Sequence, residues 1–139
     1  NRVIAAYQQL GFKIVVDPSV NYSGYFDARS RSITMKQIDD SVYHELGHFL
    51  AFIAGNVDKT ASFQSIFAAE KANVTAFNKA YVTQNASEYF AESVKDYILN
   101  NASLKSTRPQ TYAAVQNALN QITDAQIAKI QKIYGAFWN

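Results

Sequence analysis

His44-Glu45-Leu46-Gly47-His48 holds both histidines of this 139-residue chain. The pattern is H-E-x-x-H. On a helix, two histidines four positions apart share one face, one turn from each other. Two imidazoles so placed grip one tetrahedral zinc ion, and the intervening glutamate sits where it could take a proton from an activated water. The chemistry these residue types would carry is metal-assisted hydrolysis, with His44 and His48 as metal ligands and Glu45 as general base.

A catalytic zinc usually takes three protein ligands and keeps one position for water. The longer H-E-x-x-H-x-x-G-x-x-H form is absent, because Ala51 stands where its glycine belongs and the chain has no third histidine. There is no cysteine either, so thiolate sites and disulfides are both excluded. The third ligand is therefore expected to be a carboxylate. Of the four glutamates, Glu45 is inside the motif and Glu70 falls on a separate expected helix. Glu88 and Glu92 stand four apart on one face of a further helix. Either could be the ligand, with the other, or Asp96, supporting a histidine from behind. Spacing alone leaves the choice between Glu88 and Glu92 open.

Elements must bring these residues together. Arg2–Leu10 carries Val3, Ile4, Tyr7 and Leu10 on one stripe and predicts a helix ended by Gly11. Phe12–Val16 is a short β-rich run closed by Asp17-Pro18. Tyr22–Phe26, with Gly24, reads as strand or loop. Asp27–Ser30 is a turn, and Arg31–Met35 a further strand. Ser32-Ile33-Thr34 is a candidate sheet edge for an extended peptide, and equally an ordinary strand.

Beyond residue 38 the chain turns helical. Asp39, Asp40 and Ser41 suit a helix N-terminus, and Val42–Ala54 follows with Gly55-Asn56 as its stop. Ser62–Ala72 and Ser87–Leu99 predict two more helices, and Asn73–Asn85 reads as irregular. Phe63, Phe67 and Phe90 are expected in the core. Pro109 suits the first turn of another helix. Thr123-Asp124-Ala125-Gln126 forms a capping box for the last, expected to end near Gly135. The fold class predicted is α+β: one domain over 1–139, mostly helical and zincin-like, with a small antiparallel sheet before the metal helix. A net charge of +2 gives no footprint for nucleic acid, and no apolar run is long enough to span a membrane. No signal peptide is visible, and the opening Asn1-Arg2 without Met is expected of a trimmed or mature form.

Three stretches carry a resemblance: Ala61-Ser-Phe-Gln-Ser-Ile-Phe-Ala-Ala-Glu70, Ser87-Glu-Tyr-Phe-Ala-Glu-Ser93 and Leu104-Lys-Ser-Thr-Arg-Pro-Gln-Thr-Tyr112. With the H-E-x-x-H motif, the region from about Asp40 to Leu119 resembles the anthrax lethal-factor-like zinc metallopeptidases. It is most similar to the secreted clostridial Pro-Pro endopeptidases of that group. The resemblance implies that Glu88 is the zinc ligand and Glu92 the supporting carboxylate. It also implies that Tyr81, one of nine tyrosines, donates to the oxyanion of a tetrahedral intermediate. It implies a secreted zinc endopeptidase, expected to act as a monomer on a peptide or protein substrate. The competing expectation is a catalytically silent zinc-binding or interaction domain of a toxin-like protein. The intact set of base, ligands and tyrosine speaks against that.

Overall fold

The computed structural model describes residues 2–138. Helix α1 (Arg2–Gln9) leads into strands β1 (Lys13–Val16), β2 (Gly24–Asp27) and β3 (Ser32–Met35). The rest is helical: α2 (Ser41–Ile53), α3 (Ala61–Glu70), the short α4 (Lys79–Val82), α5 (Ala86–Leu99), α6 (Asn101–Thr107), α7 (Pro109–Asn120) and α8 (Asp124–Trp138). The mostly helical α+β class therefore holds.

The sheet has the order β1-β3-β2. The expected antiparallel pairing is found between β2 and β3, with Phe26 opposite Ile33. On the other side of β3, β1 runs parallel, with Ile14 opposite Ile33. The sheet is thus mixed. It follows that β3 is the central strand, and Ser32-Ile33-Thr34 is not a free edge. The reason lies in burial: Ile33 and Met35 are fully buried under α2, whereas every residue of β1 is exposed. The strand with the better apolar face takes the middle.

Capping fixes several helix starts. The Thr60 side chain accepts from the Phe63 N–H, and the Asn85 side chain accepts from the Glu88 N–H at 2.8 Å. At the start of α2 it is the Asp39 carboxylate that accepts from the Ser41 N–H, at 2.9 Å. Thr123 Oγ1 accepts from the Gln126 N–H, as the capping box predicts. The final helix runs past Gly135 to Trp138, whose indole N–H donates to the Ala28 carbonyl at 3.0 Å. That anchor carries α8 beyond its expected stop. Helix α6 was not expected from its Asn- and Ser-rich sequence; buried Leu104 ties it to the core.

The core forms around α2. Phe49, Leu50 and Ile53 are fully buried, and Tyr7, Phe12 and Phe26 surround Phe49 at ring-centre distances of 4.9–6.2 Å. Phe63 and Phe90 meet edge-to-face at 5.2 Å, and Phe67 packs on Tyr89 at 5.1 Å, so this stripe is core as expected.

Helices α2 and α5 make the most extensive contact in the molecule. Gly47 is where they come closest: a Cβ built there would stand 2.6 Å from the Ala91 carbonyl oxygen and 2.7 Å from its Cα. Backbone cannot yield as a side-chain tip can, so Gly47→Ala must push the helices apart. Overpacking of this kind costs about 1–3 kcal/mol. Urea unfolding of Gly47→Ala should show a lower midpoint than the parent; an unchanged midpoint would contradict this reading of the interface.

Candidate metal centre

Helix α2 presents His44 and His48 one turn apart, with ring centroids 5.0 Å from each other. The Asn85 cap fixes the first turn of α5 and holds Glu88 there, close to the positive end of the helix dipole. Glu88 Oε1 lies 3.1 Å from His44 Nε2 and 2.8 Å from His48 Nε2. One ligand atom from each of these three residues falls within 4.8 Å of the others, which is the arrangement that could hold a metal ion among the described residues. Two imidazole nitrogens and one carboxylate oxygen are a donor set suited to zinc.

Glu92, one turn further along α5, takes a different place. Its Oε1 lies 2.9 Å from His44 Nδ1, on the far side of the ring from Glu88. The Nδ1–H donates to Glu92, which leaves Nε2 facing Glu88 and fixes the ring's orientation. The two glutamates that spacing could not separate are thus separated by which imidazole nitrogen each meets. Glu70 is far from this centre in role: its buried carboxylate accepts from the N–H groups of Gln110 and Thr111 and from the Thr111 hydroxyl, and so caps α7. Asp96 pairs with buried Arg108 at 2.5 Å and touches neither histidine.

Tyr81 reaches the same point from α4, within the stretch expected to be irregular. Its hydroxyl donates to Glu88 Oε2 at 3.2 Å, although the ring is half exposed. Burial of the hydroxyl, reinforced by the charge of Glu88, pushes its pKa up to about 12. The phenol therefore keeps its proton near neutral pH and remains a donor.

Glu45 is buried, 6% exposed, beside the histidines. Burial raises its pKa, against the opposing pull of His44 and His48. Strand β2 makes its seat. The Phe26 backbone lies near the carboxylate and partly offsets that rise. A Cβ at Gly24 would stand 2.9 Å from both Glu45 Cγ and Met35 Sδ, so a larger residue would have to displace these side chains. Phe26 itself stacks on His48 at 6.5 Å. Gly24 is the residue that motif reading misses. Its one sequence signal is a glycine inside a strand, which often marks a close approach.

Recesses flank the centre on both sides. One of about 340 Å³, lined by Gly24, Ser41, His44, Glu45, Tyr81 and Lys95, continues into a second of about 510 Å³ through shared Ser23, Ser41, Asn78, Glu92 and Lys95. On the other side, a recess of about 210 Å³ opens between His48, Phe26 and Phe52.

The charge balance here predicts a pH response. Burial alone would push His44 down, but hydrogen bonds to Glu88 and Glu92 lift it from 6.5 to about 9. Its stabilising contribution is complete below about pH 6.5 and is lost as the pH rises through about 9. Glu88 moves the other way: against the cost of burial, the two histidines hold it well below its ordinary 4.5. Its contribution is present above pH 4.5 and is lost as the pH falls further. Metal-free protein should therefore melt highest between about pH 4.5 and 6.5. A zinc ion held by His44 would displace its proton, so zinc loading at pH 7 should release about one proton if His44 is a ligand. Calorimetry in buffers of different ionisation enthalpy reads that release, and its absence would contradict the geometry at His44.

A family model of the anthrax toxin lethal factor, N- and C-terminal domain, matches residues 19–118. That span includes His44, Glu45, His48, Tyr81, Glu88 and Glu92. The chain is also similar to a Pro-Pro endopeptidase of Clostridioides difficile (strain 630), at 41% identity over 78 residues. The matched stretch covers 53% of this chain and 34% of that protein, so the chain spans about a third of the length of this relative. With well over half of its residues matched, and all six residues of the centre among them, the chain belongs to the anthrax lethal factor family.

Proposed function

We propose that this chain is a zinc metalloendopeptidase domain that hydrolyses peptide bonds. The observation that carries the reading is the meeting of His44, His48 and Glu88 at one point, with Glu45 and Tyr81 beside it. His44, His48 and Glu88 would hold the metal, and Glu92 would orient His44. A zinc ion bound there supplies Lewis acidity, which polarises a carbonyl and makes a water acidic near neutral pH.

The chain's own residues account for the rest. Glu45 takes the proton of the attacking water and delivers it to the leaving amine. Burial favours this exchange, because a carboxylate with a raised pKa binds a proton more readily than an exposed one. Gly24 and the Phe26 backbone lie against the base. The Tyr81 hydroxyl turns from Glu88 toward the developing oxyanion; removing such a donor typically costs about 10²–10³ in rate.

Strand β2, not β3, is the edge beside the centre. In its antiparallel pairing the Gly24 backbone groups and the Phe26 carbonyl alternate with those bonded to β3 and point away from it. A substrate in extended form would lie along this edge and be oriented by main-chain hydrogen bonds. Recesses on both sides of the centre suit a cut within a chain rather than at its end.

The reading includes one metallopeptidase domain, monomeric and acting outside the cell. Family membership supports the peptidase and extracellular parts of this reading. The name of the similar clostridial protein suggests peptides with adjacent prolines as the first substrates to offer.

The test is a mixed peptide library incubated with zinc-loaded protein, with cuts read by mass spectrometry. Discrete cuts by the parent are expected, and their flanking residues show whether proline is selected. Glu45→Gln should keep its zinc and lose at least about 10³-fold in turnover. Equal cleavage by parent and variant would refute the assigned base, and no cleavage by folded, zinc-loaded parent would favour a silent binding domain.

A further inference from the structure

Asp58 is a charged residue with no part in the centre described so far. It lies in a single 3-10 turn, Val57–Lys59, between α2 and α3, and is 5% exposed. Its Oδ1 is buried without a hydrogen-bond partner, and no ion pair or hydrogen bond reaches its side chain among the described residues. A carboxylate held this way is costly unless something pairs with it.

Its surroundings indicate what would pair. Asp58 lines the recess of about 210 Å³ on the His48 side of the metal centre. The lining is mixed: Phe26, Ala51 and Phe52 form an apolar side, and Asn56, Lys59 and Ser87 a polar one. Lys59 stands at the same recess but is exposed and makes no ion pair with Asp58. A recess with one apolar side and an acid without a partner in its wall matches a side chain with an aliphatic stem and a cationic head. The stem would displace water from Phe26 and Phe52, and the head would meet the carboxylate.

We propose that this recess is a specificity pocket for a lysine or arginine side chain of the substrate, with Asp58 as the residue that selects it. The proposal rests on the peptidase reading for the identity of its occupant, but the pocket's affinity for a cation can be measured without any cleavage.

The first probe is n-butylammonium, with n-butanol as the uncharged control, titrated into zinc-loaded parent protein and followed by NMR. Butylammonium should shift the Phe26 and Phe52 resonances and butanol should not match it; equal responses, or none, would overturn the proposal. In Asp58→Asn the butylammonium response should disappear. Removing a buried carboxyl group that lacks a partner should leave stability equal or higher, whereas marked destabilisation would make Asp58 a structural residue and count against the proposal. The second probe is the peptide library. Cuts by the parent should share a lysine or arginine at one fixed position, and Asp58→Asn should lower kcat/KM for those peptides at least about tenfold while sparing neutral ones. Cuts without that preference would overturn the pocket and leave the peptidase reading standing. Selective butylammonium binding with no cleavage would support the cation pocket and overturn the peptidase reading instead.

Discussion

The close contact of α2 with α5 is the constraint on which the rest depends. Both histidines and Glu45 stand on one of these helices, and Glu88 and Glu92 on the other. A carboxylate meets two imidazoles at about 3 Å only if the helix backbones nearly touch. Gly47 allows this by presenting no side chain to the Ala91 backbone. Its position is informative, because it falls within the motif, on the turn between the two histidines. The residue that lets the helices meet and the residues that use the meeting are therefore neighbours in sequence.

Around that contact, polar groups are buried in pairs. His44 sits between two glutamates, Arg108 reaches Ser93 and Asp96 from just before α7, and Glu70 caps α7 in turn. Each carboxylate thus has a partner that offsets its desolvation. The network ties α3, α5 and α7 into one support behind the centre. Strand β2 completes it from the opposite side by seating Glu45 against Gly24 and stacking Phe26 on His48. Asp58 departs from this rule, since its Oδ1 is buried without a hydrogen-bond partner.

Much of this was legible in the sequence where period and caps are strong. Helix α2 was expected over Val42–Ala54 and forms over Ser41–Ile53, because apolar periodicity and the Gly55 stop agree. The pairing of His44 with His48 on one helix face was legible because their spacing is one helical turn. The sheet's order was not, since four-residue strands carry too little pattern to say which pair lies parallel. Helix α6 was missed because one buried leucine, not periodicity, holds it. Glu88 and Glu92 share a helix face, so only the placement of α5 across α2 distinguishes the Nε2 side of His44 from its Nδ1 side. Gly24 and Asp58 owe their meaning to contacts across distant stretches of chain, which no local spacing reveals.

The most direct test of the account is X-ray absorption at the zinc edge of protein loaded with one equivalent of zinc. The account predicts a shell of nitrogen and oxygen only, with the scattering signature of two imidazoles, altered when Glu88 is changed to Gln but retained in Glu92→Gln. A shell with fewer than two imidazoles, or one indifferent to Glu88, would contradict the claim that α2 and α5 are joined to build a single metal site.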